Sequence, residues 1–452
     1  MPALLIVVGP RRKQSTRVFP QDWRVEQDRP TGYALAVGAD LETMITKAAV
    51  AQAVGAAWLS TGAALPAAWV AVEPVAAVAS PRDLDNVLPV TVRTPHGGFN
   101  RFVVSVTVCE PGTTRCATID DVMLDTGSTG LRLEASAVPA WISLPAHRDQ
   151  DGRPLAECLH FVHDDAWGPL VRADLHLGGL IAEDVPIQVI SDDGRPQPAA
   201  CPRSTVPPTS NGTLGIGPNL FDCPGTCEQN ATRPTYFVGG PGTWTPVAGR
   251  LAPAYRVPNP VARLPAHNNG VVFDLPSPPG GGAKEVVGAL ILGVGTAPDN
   301  QPGPASRLPL DAAGRFTTTY RGRTYPESTI DSGTETDIIE DDQLPRCAGM
   351  AWAFCSSPDR WIEATMAGPA GARLPWRIRV GDYQRTLTRN DGASDGMVAA
   401  ASEGTRSFVW GAPFFMGKRV MVVFEGRDVP RLEHWEGPLY GIQDTARPPT
   451  AR

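Results

Sequence analysis

Val122-Met123-Leu124-Asp125-Thr126-Gly127-Ser128-Thr129-Gly130 and Ser328-Thr329-Ile330-Asp331-Ser332-Gly333-Thr334 share one local plan. Strand-forming residues run into an aspartate, a small hydroxyl residue, a glycine and a second hydroxyl residue. One such tetrapeptide is an ordinary Asx-type turn capping a strand. The residues downstream of each copy add meaning. Asn211-Gly212-Thr213-Leu214-Gly215 comes 90 residues after Asp125, and Phe408-Val409-Trp410-Gly411 comes 80 residues after Asp331. In both, a strand-forming pair leads into a glycine, so the chain carries a carboxylate turn and a distant follow-on glycine twice, in the same order.

A chain of 452 residues can bury two sizeable cores, which suits two similar halves better than a single domain. Its 46 glycines and 46 prolines are too few for low-complexity disorder and fit many short strands joined by turns. The expected class is all-β. Residues 102–108 are β-branched and aromatic, break at Cys109-Glu110-Pro111-Gly112, and resume at 121–124, reading as a hairpin that delivers Asp125. Residues 170–177 alternate as a half-buried strand does, and 185–190 form another. The Gly- and Pro-rich stretch 238–260 reads as a linker. The plan then repeats with strands at 270–275, 288–293 and 315–320, the Asp331 turn, a short segment at 413–416 and a closing strand at 420–424. Gly293-Val294-Gly295 lacks the third glycine and following helix of a nucleotide loop and is read as a strand turn.

The formal net charge is −7 and no long basic run occurs, which argues against nucleic acid as a partner. Eight cysteines lie between Cys109 and Cys355. As neighbours along the chain they group as Cys109 with Cys116, Cys158 with Cys201, Cys223 with Cys227 and Cys347 with Cys355. That pattern suggests disulfides and an oxidising compartment, with connectivity left open. Cys223-x-x-x-Cys227 lacks the second ligand pair of a zinc site. His160, His163, Asp164 and Asp165 form a polar cluster read as solvated rather than metal-binding, so neither metal nor cofactor is expected.

The N-terminal region reads separately. From Met44, Ile45-Thr46-Lys47 precedes a long apolar stretch, interrupted by Pro66 and Glu73-Pro74, that closes with Ala77-Val78-Ala79. This describes a signal peptide or a retained signal anchor over 44–79, with 1–43 as an upstream extension. A first lobe with Asp125 is expected over 88–245, a second with Asp331 over 246–442, and a tail over 443–452. The protein is expected to be exported, periplasmic or extracellular, touching a membrane only through that anchor, and to be a monomer.

The paired turns with their follow-on glycines resemble those of the pepsin-like aspartic protease superfamily. The resemblance implies a bilobal fold of two pseudo-twofold-related β-barrel-like lobes with a central cleft, and a substrate peptide or protein bound in extended conformation. It implies that Asp125 and Asp331 share one proton and activate a water, because two adjacent carboxyls cannot both ionise. Thr126 and Ser332 would hold the loops together by crossed hydrogen bonds, Ser128 and Thr334 would bond the outer carboxylate oxygens, and Gly127 and Gly333 would let backbone amides reach the inner ones. The family's flap carries a tyrosine, for which this chain offers Phe161, without a hydroxyl, or Trp167; either reads equally as a packed core aromatic. Thr213 is less apolar than the family's usual residue. Glu335 would raise the dyad's upper pKa and Arg132 would lower it. Stretches such as 104–114, 166–168, 186–190 and 410–415 also resemble an uncharacterised family of bacterial exported proteins over residues 88–442. The alternative reading is a catalytically silent binding or envelope-scaffold protein that keeps the bilobal form.

Overall fold

The computed structural model describes residues 85–445 except 95–97, 162–164, 192–196, 203, 205–206, 224–232, 241–242, 248, 250 and 370. These fall in one compact unit, Val78–Arg452. The extension, the signal or anchor segment, Cys227, His163, Asp164 and most of the tail lie outside the described residues.

Strand formation follows the alternation in the sequence. Along Arg101–Cys109 the residues Phe102, Val104, Val106 and Val108 are buried while Ser105 is exposed. Each such valine gains about 1.5–3 kcal/mol by leaving water, so the inward face fixes the register. Six strands then close on themselves: Arg101–Cys109, Cys116–Asp125, Gly212–Ile216, Thr129–Glu134, Leu180–Ile190 and Asp165–Leu177, the last pairing back with the first. A second closed ring has the same order of parts: Phe316–Tyr320, Arg323–Ile330, Val409–Trp410, Asp337–Ile339, Val398–Ala400 and Met350–Ala367. In each ring the strand that leads to the motif aspartate runs parallel to the strand that leads to the follow-on glycine. Leu124 faces Leu214 and Asp125 faces Gly215 in the first; Ile330 faces Trp410 in the second. The strand after each turn pairs antiparallel with that same glycine strand. The sequence repeat is thus a structural repeat.

Two features show how the halves are joined. Val87–Arg93 lies between the halves, pairing with Arg101–Cys109 on one side and along its length with Val286–Leu292 on the other. Its sheet continues through Gly270–Leu275 and Lys418–Val423 to Leu439–Asp444, so one continuous sheet joins both halves. The stretch read as a linker is largely packed structure: Thr245–Pro246 pairs with Tyr236–Val238, and Leu251 and Val257 are buried against Leu155, Leu170 and Tyr236.

Among the described residues the pairs Cys109–Cys116, Cys158–Cys201 and Cys347–Cys355 are disulfides, which suits an oxidising environment. Among the described residues no helix is long and apolar enough to cross a membrane.

Candidate active site

Each motif aspartate ends a parallel pair of strands and begins a turn that folds back on its own carboxyl. Asp125 Oδ1 accepts the Gly127 N–H at 2.7 Å and Oδ2 accepts the Ser128 hydroxyl at 2.5 Å. Asp331 repeats this with Gly333 N–H at 2.9 Å and the Thr334 hydroxyl at 2.7 Å. Such turns are what Asp-x-Gly favours, because the side chain replaces a backbone acceptor. Four hydrogen bonds then cross between the loops. Thr126 Oγ1 donates to the Ile330 carbonyl at 2.9 Å and accepts the Ser332 N–H at 3.0 Å; Ser332 Oγ donates to the Leu124 carbonyl at 2.9 Å and accepts the Thr126 N–H at 3.0 Å. Both hydroxyls are buried, so each crossed bond exists where water cannot replace it.

The loops meet closely enough that only glycine fits. A Cβ on Gly127 would lie 2.8 Å from the Asp331 carboxyl carbon, and one on Gly333 would lie 2.6 Å from Asp125 Oδ1 and 3.3 Å from Asp331 Oδ1. The aspartates, 206 positions apart in sequence, therefore face one another across the junction of the two rings. Burial pushes the Asp331 carboxyl up to about 7, the neighbouring Asp125 carboxylate and the hydrogen bond between the two carboxyls push the same way, and the Thr334 and Gly333 donors oppose them. One proton held between two carboxyls leaves an acid and a base at a single point. Beside this loop is a cavity of about 60 Å³ whose lining includes Gly127, Ser128, Asn219, Gly314, Ile330 and Tyr440.

That shared proton makes stability depend on pH. Between the ordinary aspartate value near 3.8 and about 7, native Asp331 keeps a proton that the unfolded chain has released. Its contribution to stability is therefore fully present below that window, falls as pH rises through it and is flat above. Relative to Asp331→Asn, the wild-type protein is expected to lose stability from pH 4 to pH 7 in urea unfolding; a constant difference across that range would contradict the shared proton.

The two charges expected to tune the dyad are engaged elsewhere. Glu335 pairs with Arg101 at 2.7 Å, and Arg132 lies in a fully buried cluster, 2.7 Å from Glu157 and 3.5 Å from Asp222. Burial and the partner carboxylate, rather than Glu335 or Arg132, set Asp331. Of the two flap residues, Trp167 is 5% exposed and packs edge-on against Phe237 at 5.1 Å and Trp244 at 5.8 Å, as a core aromatic does. Phe161 follows Leu155–His160 and is half-buried; the hairpin tip beyond it, 162–164, lies outside the described residues. This hairpin carries Tyr236–Val238 as a third strand and the Cys158–Cys201 disulfide midway along its first strand. Of the polar cluster, His160 and Asp165 bond across the hairpin at 2.7 Å, with Arg233 on Asp165 at 2.9 Å. Cys158, which is near them, is already in its disulfide and offers no thiolate.

Three site residues escaped the sequence reading. Tyr440 donates its hydroxyl to the Ile330 carbonyl at 3.1 Å and nothing local marks it. Arg101 reaches the second motif from the first ring. Asp337 was findable: it stands six residues after Asp331, where Leu131 stands six after Asp125.

A family model described as "Protein of unknown function (DUF3443)" matches residues 82–441. Among solved structures, the aspartic proteinase from Irpex lacteus is similar over 80% of this chain and 97% of that chain, with a TM-score of 0.50 and 14% sequence identity. That likeness is one of fold: two β lobes around a cleft. A search of curated proteins finds no match.

Proposed function

The chain belongs to the DUF3443 family, and we propose, from the meeting of Asp125 and Asp331 at one point, that it is an aspartic endopeptidase. The observation that carries the reading is the pair of carboxyls held by matching turn bonds and brought within reach of one proton. A water between them would give a proton to the ionised carboxyl as its oxygen attacks the peptide carbonyl. The protonated carboxyl would at the same time give its proton to the carbonyl oxygen. Breakdown of the tetrahedral species returns that hydroxyl proton to the dyad, and the leaving nitrogen receives the proton taken from water, so the dyad ends as it began. The substrate is a peptide or protein segment lying extended between the lobes, with the chain acting as a monomer. The disulfides favour a protein exported to the periplasm or beyond, as the apolar stretch 44–79 suggests.

One observation favours the second reading, a silent binding or scaffold protein. The hairpin in the flap position is braced by a third strand, its tryptophan is in its own core, and Phe161 has no hydroxyl. Digestion of a peptide library by the purified protein between pH 3 and pH 8, with and without pepstatin, separates the two. A peptidase cuts in acid, loses activity as pH passes about 7 and the shared proton leaves, and is blocked by pepstatin; a scaffold leaves the library intact at every pH.

A further inference from the structure

A single peptide group stands behind Asp331. Its carbonyl, that of Trp410, accepts the Asp331 backbone N–H at 2.8 Å, and its N–H, that of Gly411, donates to Asp337 Oδ1 at 2.9 Å. One amide plane thus links the backbone of the dyad residue to a second carboxyl that is only 2% exposed. Room around it is minimal, since a Cβ on Gly411 would come within 2.1 Å of the Thr336 carbonyl oxygen. The next residue continues the tie: the Ala412 N–H donates to the Thr334 carbonyl at 2.8 Å, and the Thr334 hydroxyl holds Asp331 Oδ2.

The first ring shows what this position ordinarily holds. There Leu131 pairs with Leu214, the residue before the follow-on glycine, and is fully buried among apolar neighbours. In the second ring Ile338 pairs with Val409, so Asp337 falls opposite Trp410 as Leu131 falls opposite Leu214. A carboxyl replaces a leucine at a buried site, where a polar group is costly unless it is hydrogen-bonded. The groups that face it are the Gly411 N–H, Lys418 from Lys418–Val423, and Asp395 from the turn before Val398–Ala400. Burial dominates and pushes Asp337 up to about 7, while Gly411 and Lys418 oppose that and Asp395 adds to it. The Lys418 amine is itself 4.9 Å from the Phe414 ring centre.

We propose that Asp337 is a positioning residue for Asp331: by holding the Gly411 N–H it fixes the Trp410–Gly411 peptide, whose carbonyl in turn fixes the Asp331 backbone. An acceptor on one end of an amide also strengthens the hydrogen bond at the other. Misplacement of a catalytic group by about 1 Å costs up to about a hundredfold in rate, so a small tilt of this amide matters. The assignment rests on reading Asp125 and Asp331 as a catalytic dyad, and the test keeps the two apart.

In the full-length protein, Asp337→Leu removes the acceptor, whereas Asp337→Asn keeps an oxygen at the same place. Asp337→Leu is expected to lower kcat for peptide hydrolysis about tenfold with KM unchanged, and Asp337→Asn to restore most of it. Independently of activity, hydrogen exchange at the Gly411 and Asp331 amides is expected to quicken together in Asp337→Leu, with exchange elsewhere in the second ring unmoved. Where Asp337→Leu does not fold, the NMR shifts of the Gly411 amide and the amide at position 331 should move together near pH 7 in Asp331→Asn, which removes that residue's own titration, and that joint movement should vanish when Asp337→Asn is added. Wild-type exchange at Asp331 in Asp337→Leu, equal loss of kcat in both variants, or amide shifts that move independently overturn the proposal. A wild-type protein that cuts no peptide at any pH defeats the dyad reading, while the amide measurements still decide the coupling.

Discussion

Asp331→Asn is expected to abolish peptide hydrolysis, by on the order of 10⁴-fold or more, because the substitution removes the proton that must pass to the carbonyl oxygen. The change is close to isosteric. An asparagine oxygen can still accept the Gly333 N–H that now bonds Asp331 Oδ1, and the crossed bonds of Thr126 and Ser332 do not involve the carboxyl. The loop should therefore keep its shape, and the loss should be one of kcat with the fold intact. Above pH 7 the variant should unfold at higher urea concentration than wild type, since it no longer confines a second negative charge beside Asp125. Steady-state hydrolysis of a cleaved library peptide, paired with urea unfolding, checks both halves. Unchanged hydrolysis in Asp331→Asn, or in Asp125→Asn, would reject the dyad.

Arg132→Ala is expected to destabilise the fold by about 3–5 kcal/mol, because it leaves buried carboxyls without their cation. Arg132 is fully buried, donates to Glu157 Oε1 at 2.7 Å and to the Thr129 carbonyl at 2.7 Å, and lies 3.5 Å from Asp222. Tyr236 donates its hydroxyl to Asp222 at 2.5 Å and accepts the Val257 N–H at 2.9 Å, so five segments meet in this cluster. Burial, then the neighbouring Glu157, push the Asp222 carboxyl well up, while Arg132 and the Tyr236 hydroxyl oppose that rise. Because the Asp222 carboxyl is raised, the cost of removing Arg132 should shrink at pH 5, where that carboxyl takes up a proton more readily than at pH 7.5. Urea unfolding at both pH values measures it. A loss below 1 kcal/mol at pH 7.5 would mean that water reaches the cluster.

The parts of this molecule that are legible in its sequence are those in which the chemistry is complete within a few residues. Asp-x-Gly turns declare themselves because the aspartate, the amide it accepts and the glycine that makes room are consecutive. Strands such as Arg101–Cys109 declare themselves through alternation. The disulfides Cys109–Cys116 and Cys347–Cys355 link neighbours along the chain. Partners distant in sequence leave no such trace. Arg132 reads as a charge near the dyad until Glu157 and Asp222 are seen around it. Trp167 reads equally as a flap residue or a core residue until Phe237 and Trp244 are placed on it. Asp337 lies between, since its offset from Asp331 was visible but the Gly411 amide it holds is 74 positions away.

The strand Val87–Arg93 carries a consequence for how the protein is made. One edge can pair at once with Arg101–Cys109, but the other waits for Val286–Leu292, about two hundred residues downstream. On a ribosome adding roughly 5–20 residues each second, that edge stays open for some tens of seconds. An open strand edge invites pairing with any passing chain. The half translated first therefore cannot finish its own sheet, and a nascent chain stalled after residue 245 would present to its neighbours the ladder that the finished protein hides.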